Sequence, residues 1–307
     1  MCERRGGFWI PAGFAVTLLA AVANSSAQPP PGAGRMGGPP PGERMGGPAR
    51  GSLPPGRGGA GSAAERDRAR RMTGIETRSY TFEPTGEDMP YFVYVSRRSD
   101  EDEPSPLVVL LHGMGVPPDL VLSQVSAEAN RRGYIVVAPM GYNVRGGYGA
   151  YPLGLGDSPD PRVNEWSEQD VMNVLALARA EFNVDDRRIY LVGQSMGGAG
   201  ALHLGRKFSD VWAAVGATAP AVGDEEPTGL EDVRHMPFVI VHGDEDPAVP
   251  VERSRRWAAK LDDLDMNFEY HEIRGGGHSD AILTGAPYVF DFFDANTKPD
   301  QRSVSGE

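Results

Sequence analysis

Ile189-Tyr190-Leu191-Val192 runs directly into Gly193-Gln194-Ser195-Met196-Gly197-Gly198. The first four residues read as a strand, and the small residues from Gly197 to Ala201 predict a helix that opens at once after Ser195. A chain that turns from strand to helix within so few residues needs bare backbone on either side of the turn, which Gly193 and Gly197 supply. The serine between them is then held in a strained conformation with its hydroxyl presented at the end of the strand.

Around this turn the rest of the body alternates. Leu107 to Leu111 and Tyr134 to Ala138 are continuous apolar runs, as expected of strands covered on both faces. Further strands are predicted at Arg188 to Val192, Val211 to Ala217, Phe238 to Val241 and Phe268 to Ile273. Between them, helical periodicity marks Leu120 to Arg132, Trp166 to Phe182, Met196 to Phe208, Val251 to Leu261 and Ser279 to Phe293. Tyr80-Thr81-Phe82 and Tyr91 to Val95, separated by Glu83-Pro84-Thr85-Gly86, predict an opening antiparallel pair. The fold class is therefore α/β, with a mostly parallel central sheet, helices on both faces and an antiparallel pair at its start. In such sheets chemistry gathers just beyond the carboxyl ends of the strands.

A serine hydroxyl needs a base and the base an orienting carboxylate, in the chain order Ser, Asp, His for this turn type. Of the six histidines, His112 and His242 precede glycines at strand ends and read as structural. His203 lies in the helix after the serine, His271 inside a strand, and His235 in a loop before one. Only His278, on Gly275-Gly276-Gly277 after the final strand, is positioned to swing toward Ser195. The acid comes from the loop His242-Gly243-Asp244-Glu245-Asp246-Pro247-Ala248-Val249-Pro250, where Asp244 and Asp246 both qualify.

The amino-terminal part has a different character. Arg4 and Arg5, an apolar run from Phe8 to Ala23, and small residues up to Ala27 predict a cleaved export signal over 1–27, either general or twin-arginine, and so a secreted or periplasmic protein. Residues 28–72 are rich in Pro, Gly, Arg and Met, with Arg35-Met36-Gly37-Gly38-Pro39-Pro40 nearly repeated at Arg44 to Ala49. That composition predicts a disordered linker, leaving 73–307 as the catalytic domain. The single cysteine, Cys2, departs with the signal, so the domain is expected to be stable without disulfides.

Residues 1–72 hold 10 Lys and Arg against 4 acidic residues, and residues 73–307 hold 20 against 38. The basic arm either touches anionic envelope polymers and lipid head groups or merely tethers and solubilises. The acidic body excludes nucleic acid as a partner, because it would repel a phosphate backbone.

Leu110-Leu111-His112-Gly113-Met114-Gly115, the segment Val184 to Gly198 and the segment His242 to Pro250 resemble the α/β-hydrolase superfamily. The nearest branch is that of dienelactone hydrolases, feruloyl esterases and polyhydroxyalkanoate depolymerases, with prolyl-oligopeptidase catalytic domains close by. The resemblance implies a serine esterase acting on small-molecule or polymer esters without a metal or organic cofactor. In these families the acid precedes a short turn ending in Val-Pro, which selects Asp246 and leaves Asp244 as the fallback. It also implies that the backbone N–H groups of Met114 and Met196 form an oxyanion hole. Tyr142, Tyr148 and Tyr151 lie where these enzymes shape an acyl or aromatic pocket, or else anchor a surface loop. Two competing functions follow from the same residues: a serine peptidase with this triad, and an inactive hydrolase scaffold used for binding.

Overall fold

The computed structural model describes residues 73–100, 102–150 and 162–299. The expected signal segment 1–27, the linker 28–72 and Tyr151 lie outside the described residues. Among the described residues eight strands form one sheet: β1 (Ile75–Phe82), β2 (Glu87–Val95), β3 (Ser105–Leu111), β4 (Ile135–Pro139), β5 (Val184–Gln194), β6 (Ala214–Thr218), β7 (Phe238–Gly243) and β8 (Phe268–Ile273). Their order is β1-β2-β4-β3-β5-β6-β7-β8, antiparallel across the first three and parallel thereafter.

The helices are α1 (Pro118–Arg132), α2 (Val163–Glu181), α3 (Met196–Lys207), α4 (Glu252–Asp263), α5 (Asp280–Leu283) and α6 (Ala286–Ala295). Alternation along the central strands sorts their side chains between two cores. Leu107, Val109, Leu111, Ile189 and Leu191 pack with Val174, Leu202 and Trp257 from α2, α3 and α4. Val108, Leu110, Tyr190 and Val192 pack with Val121, Leu122, Phe290 and Phe293 from α1 and α6. With both faces covered, every residue of β3 is buried, which is why its sequence is apolar throughout.

Some boundaries differ from those expected from the sequence. The strand expected from Val211 begins at Ala214, because Trp212 is fully buried and donates its indole N–H to the Leu204 carbonyl at the end of α3. The helix expected from Ser279 to Phe293 breaks into α5 and α6, since Pro287 has no N–H to give the Leu283 carbonyl. Among the described residues no helix is long and apolar enough to cross a membrane.

Strand order also fixes where ligands can reach the sheet. The chain leaves β3 to build β4 on one side, then crosses to the other side to build β5. At that reversal the loops after β3 and β5 part in opposite directions and open a crevice at the strand ends. His112-Gly113-Met114 and Gln194-Ser195 are the residues that emerge there.

A buried carboxylate holds one rim of this end. Asp170 on α2 accepts the Tyr80 hydroxyl at 2.6 Å on one oxygen, and the amides of Gly141 and Tyr142 at 2.7 and 3.3 Å on the other. Burial pushes its carboxyl up to about 6, the three hydrogen bonds only partly opposing it. In the unfolded chain it ionises near the ordinary value of about 4, so its own contribution to stability is fully present below that value and is lost as pH rises through about 6, about 3 kcal/mol in all. Asp170→Asn, whose amide can donate to Tyr80 and accept from both N–H groups, is expected to remove that decline. Urea unfolding of both proteins at pH 4.5 and 7.5 measures it, and an equal decline in both would refute the assignment.

Candidate active site

Ser195 stands between β5 and α3 with φ 58° and ψ −115°, a combination that costs of order 1–3 kcal/mol for a residue with a Cβ. The surrounding backbone enforces it. Ser195 N–H donates to the Thr218 carbonyl at 2.9 Å, and its own carbonyl accepts the amides of Ala199 and Ala221 at 3.0 and 2.9 Å. A Cβ on Gly193 would drive into the Gly197 carbonyl, and one on Gly197 into the Leu111 carbonyl. The two glycines thus let β5, α3 and the end of β3 meet at backbone distance.

The loop after β3 lies against this turn: a Cβ on Gly113 would stand 3.5 Å from that of Ser195. Met114 follows Gly113 and lines the cavity beside Ser195. Met196 is the first residue of α3, so its N–H has no acceptor within its own helix. Its side chain is buried, whereas that of Met114 is exposed.

On the other wall, His278 donates from Nδ1 to Asp246 Oδ2 at 2.6 Å. The Asp246 side chain is wholly buried, while that of His278 is about a quarter exposed. Asp246 Oδ1 accepts the amides of Ala248 and Val249 at 2.7 and 3.0 Å, inside the turn that ends in Val249-Pro250. Burial alone would raise this carboxyl, but the hydrogen bonds from His278, Val249 and Ala248 outweigh it and hold it below the usual carboxylate range. Asp244 is otherwise engaged, accepting the Gly275 amide at 2.6 Å. Ser195 and His278 line one cavity of about 480 Å³, within the size range of small-molecule sites.

A second histidine shares the carboxylate. His242 Nε2 lies 3.1 Å from Asp246 Oδ2 and 3.0 Å from the Val249 carbonyl, and its Nδ1 lies 2.6 Å from Ser254 Oγ. Two acceptors at Nε2 require the proton there, and Ser254 then donates to Nδ1. Burial lowers its basicity, the contacts with Val249 and Asp246 only partly opposing it. In the sequence His242 reads only as structural, and its one signal of this partnership is its place at a strand end four residues before Asp246. His112 is likewise buried and its basicity lowered by burial, with its ring nitrogens 2.8 and 2.9 Å from the carbonyls of Gly113 and Met140.

The tyrosine pocket is corrected for two of its members. Tyr148 is fully buried, and a Cβ on Gly200 would stand 2.6 Å from its own Cβ. Its hydroxyl accepts the His112 amide at 3.2 Å, so the ring supports the loop after β3 from below instead of facing a substrate. Tyr142 packs on Trp166 and Phe82 and donates its hydroxyl to Glu87 at 3.0 Å. Neither lines the cavity beside Ser195. Its apolar walls come instead from Met114, Val116, Leu120, Ala221, Ala248 and Val249. Gln124 lines the same wall, and its Oε1 is buried without a partner among the described residues. Among the described residues no three His, Cys, Asp or Glu side chains gather in a way that could hold a metal ion.

Comparison with known proteins gives the following. The model of the Esterase family matches residues 83–279. A bifunctional acetylxylan esterase/xylanase from Neocallimastix patriciarum is 31% identical over 144 residues, covering 46% of this chain and 19% of that protein. The chain therefore spans about a fifth of the length of this curated relative. A thermostable esterase of known structure superposes with a TM-score of 0.60 at 23% identity, covering 73% of this chain and 63% of the other. A CE1 ferulic acid esterase from Anaeromyces mucronatus superposes with a TM-score of 0.57 at 21% identity, covering 72% and 91%. At these identities the two structures establish the α/β-hydrolase fold.

Proposed function

The chain belongs to the Esterase family, and from that premise we propose that it is a secreted serine esterase that cleaves carboxylic esters through an acyl-enzyme intermediate. Residues 1–27 serve as its export signal, 28–72 as a linker and 73–307 as its catalytic domain. The observation that carries the reading is the 2.6 Å hydrogen bond from His278 to the buried Asp246, in a chain whose Ser195 lines the same cavity as His278.

Asp246 fixes the His278 tautomer with the proton on Nδ1, which leaves Nε2 as the base. Ser195 Oγ attacks the ester carbonyl carbon as His278 Nε2 takes the hydroxyl proton. The oxygen that becomes negative is met by the N–H groups of Met114 and Met196, and loss of one such donor typically costs about 3 kcal/mol of barrier. The first turn of α3 adds a favourable dipole. His278 then hands its proton to the departing alcohol oxygen, leaving an acyl group on Ser195. Water attacks that ester, His278 again taking and returning the proton, and the acid is released with the serine restored.

Acetyl and feruloyl esters are the first substrates to try, by analogy with the relatives' activities. The full chain is assayed on p-nitrophenyl esters from C2 to C16 and on methyl ferulate, and acid-quenched mixtures are analysed by mass. Turnover with a burst and an acyl mass increment on the peptide containing Ser195 is expected. Turnover with no burst and no adduct would remove the acyl-enzyme route, and inactivity on every ester would remove the esterase reading.

A further inference from the structure

Among the described residues, the cavity beside Ser195 is lined by apolar and neutral side chains apart from His278 and Arg253, the latter from the first turn of α4. Its domain carries 20 basic against 38 acidic residues, so an arginine on the wall of this cavity runs against the general charge. A neutral ester in an apolar cleft gives no reason to place one there.

The ion pair that Arg253 makes is built to be released. Its Nε and Nη2 donate to the two oxygens of Asp224 at 3.0 and 3.3 Å, and Arg256, one turn further along α4, donates to the same carboxylate at 2.9 Å. Two guanidiniums thus share one anion. The Asp224 side chain is 74% exposed and that of Arg253 23%, so the carboxylate sits on the water side and the arginine on the cavity side. The intervening Arg255 is committed elsewhere, to Glu272 and Glu252. If a second carboxylate enters the cavity, Arg253 can exchange partners while Asp224 keeps Arg256, and no charge is left unpaired. The pair being surrendered is solvent-screened and weak, whereas a carboxylate held in the cleft meets the planar fork with less competition from water.

We propose that Arg253 selects ester substrates that carry a carboxylate, on either the acyl or the alcohol portion, by trading Asp224 for the substrate. The inference rests on the esterase reading above. It makes Asp224 a competitor of the substrate, and that separates it from a simpler role. If Arg253 only staples α4 to the segment after β6, removing either partner breaks the staple and both variants shift together.

The test uses the full chain, Arg253→Gln and Asp224→Asn. One pair of esters is 4-acetoxybenzoate and its methyl ester, with the charge on the alcohol portion. The other is mono-p-nitrophenyl glutarate and p-nitrophenyl pentanoate, with the charge on the acyl portion. The readout is the ratio of kcat/KM, charged over neutral, within each pair. In one of the pairs Arg253→Gln is expected to lower that ratio about tenfold with the neutral ester within about twofold of wild type, and Asp224→Asn to raise it. The pair that responds identifies which half carries the charge. Ratios that Arg253→Gln leaves unchanged in both pairs, or that both variants move in the same direction, overturn the inference while neutral turnover leaves the esterase reading standing. Absence of turnover on all four esters by the wild type removes both.

Discussion

Ser195→Ala is expected to lower kcat on p-nitrophenyl acetate by about a million-fold while leaving the fold intact. Attack on the carbonyl needs an oxygen at this position, and neither His278 nor the N–H donors can supply one. The residual rate should still exceed that in water, because those donors and the cavity continue to stabilise charge on a carbonyl attacked by water. Stability is predicted to stay within about 2 °C in Tm, because the backbone bonds from Ser195 to Thr218, Ala199 and Ala221 do not involve the side chain. The strain at φ 58° stays as well, since alanine keeps the Cβ. Ser195→Gly removes it and should unfold about 1–2 kcal/mol later than Ser195→Ala. Turnover by Ser195→Ala within tenfold of wild type would exclude Ser195 as the nucleophile. An Ala variant more stable than the Gly variant by about 0.5–1 kcal/mol, the ordinary entropic cost of glycine, would show that the turn is unstrained.

What the sequence reveals here is largely what glycine, proline and continuous apolar runs punctuate. The runs in β3, β4 and β5 are apolar because both faces of the sheet are covered, and the same covering requires that polar chemistry sit at their ends. Ser195 and His278 could therefore be picked out from their places after strands. Asp246 could not be separated from Asp244 on spacing, since the difference lies in which carboxylate turns inward. Asp246 is buried against His278, whereas Asp244 caps the Gly275 turn.

The tyrosines misled for a related reason. Tyr148 follows Gly146-Gly147 in what reads as an open loop, and only the bare face of α3 at Gly200 allows its ring to be swallowed. Such a contact joins residues more than fifty positions apart and leaves no local periodicity. The partner exchange at Arg253 is hidden in the same way, because the carboxylate it shares with Arg256 comes from Asp224, on a different segment of the chain.

Asp246→Asn is expected to cost about ten-thousand-fold in kcat without unfolding the chain, and the reason lies in how completely its two oxygens are used. Oδ1 accepts two amides, so in the asparagine variant the remaining oxygen must take that side. The new NH2 group then occupies the place of Oδ2 and points two hydrogens toward His278 and His242. His278 can meet it only by turning Nδ1 into an acceptor, which moves its proton to Nε2 and leaves no lone pair for the Ser195 hydroxyl. His242 can adapt at the cost of its bond to the Val249 carbonyl, because Ser254 is able to accept as well as donate and so permits the opposite tautomer. The loop is therefore predicted to keep its shape while the base is lost. Asp246→Ala, which abandons the Ala248 and Val249 amides too, should lose stability in addition to activity. Steady-state kinetics and urea unfolding of both variants test this, and an Asn variant retaining a tenth of wild-type kcat would mean that Asp246 does not set the tautomer of His278.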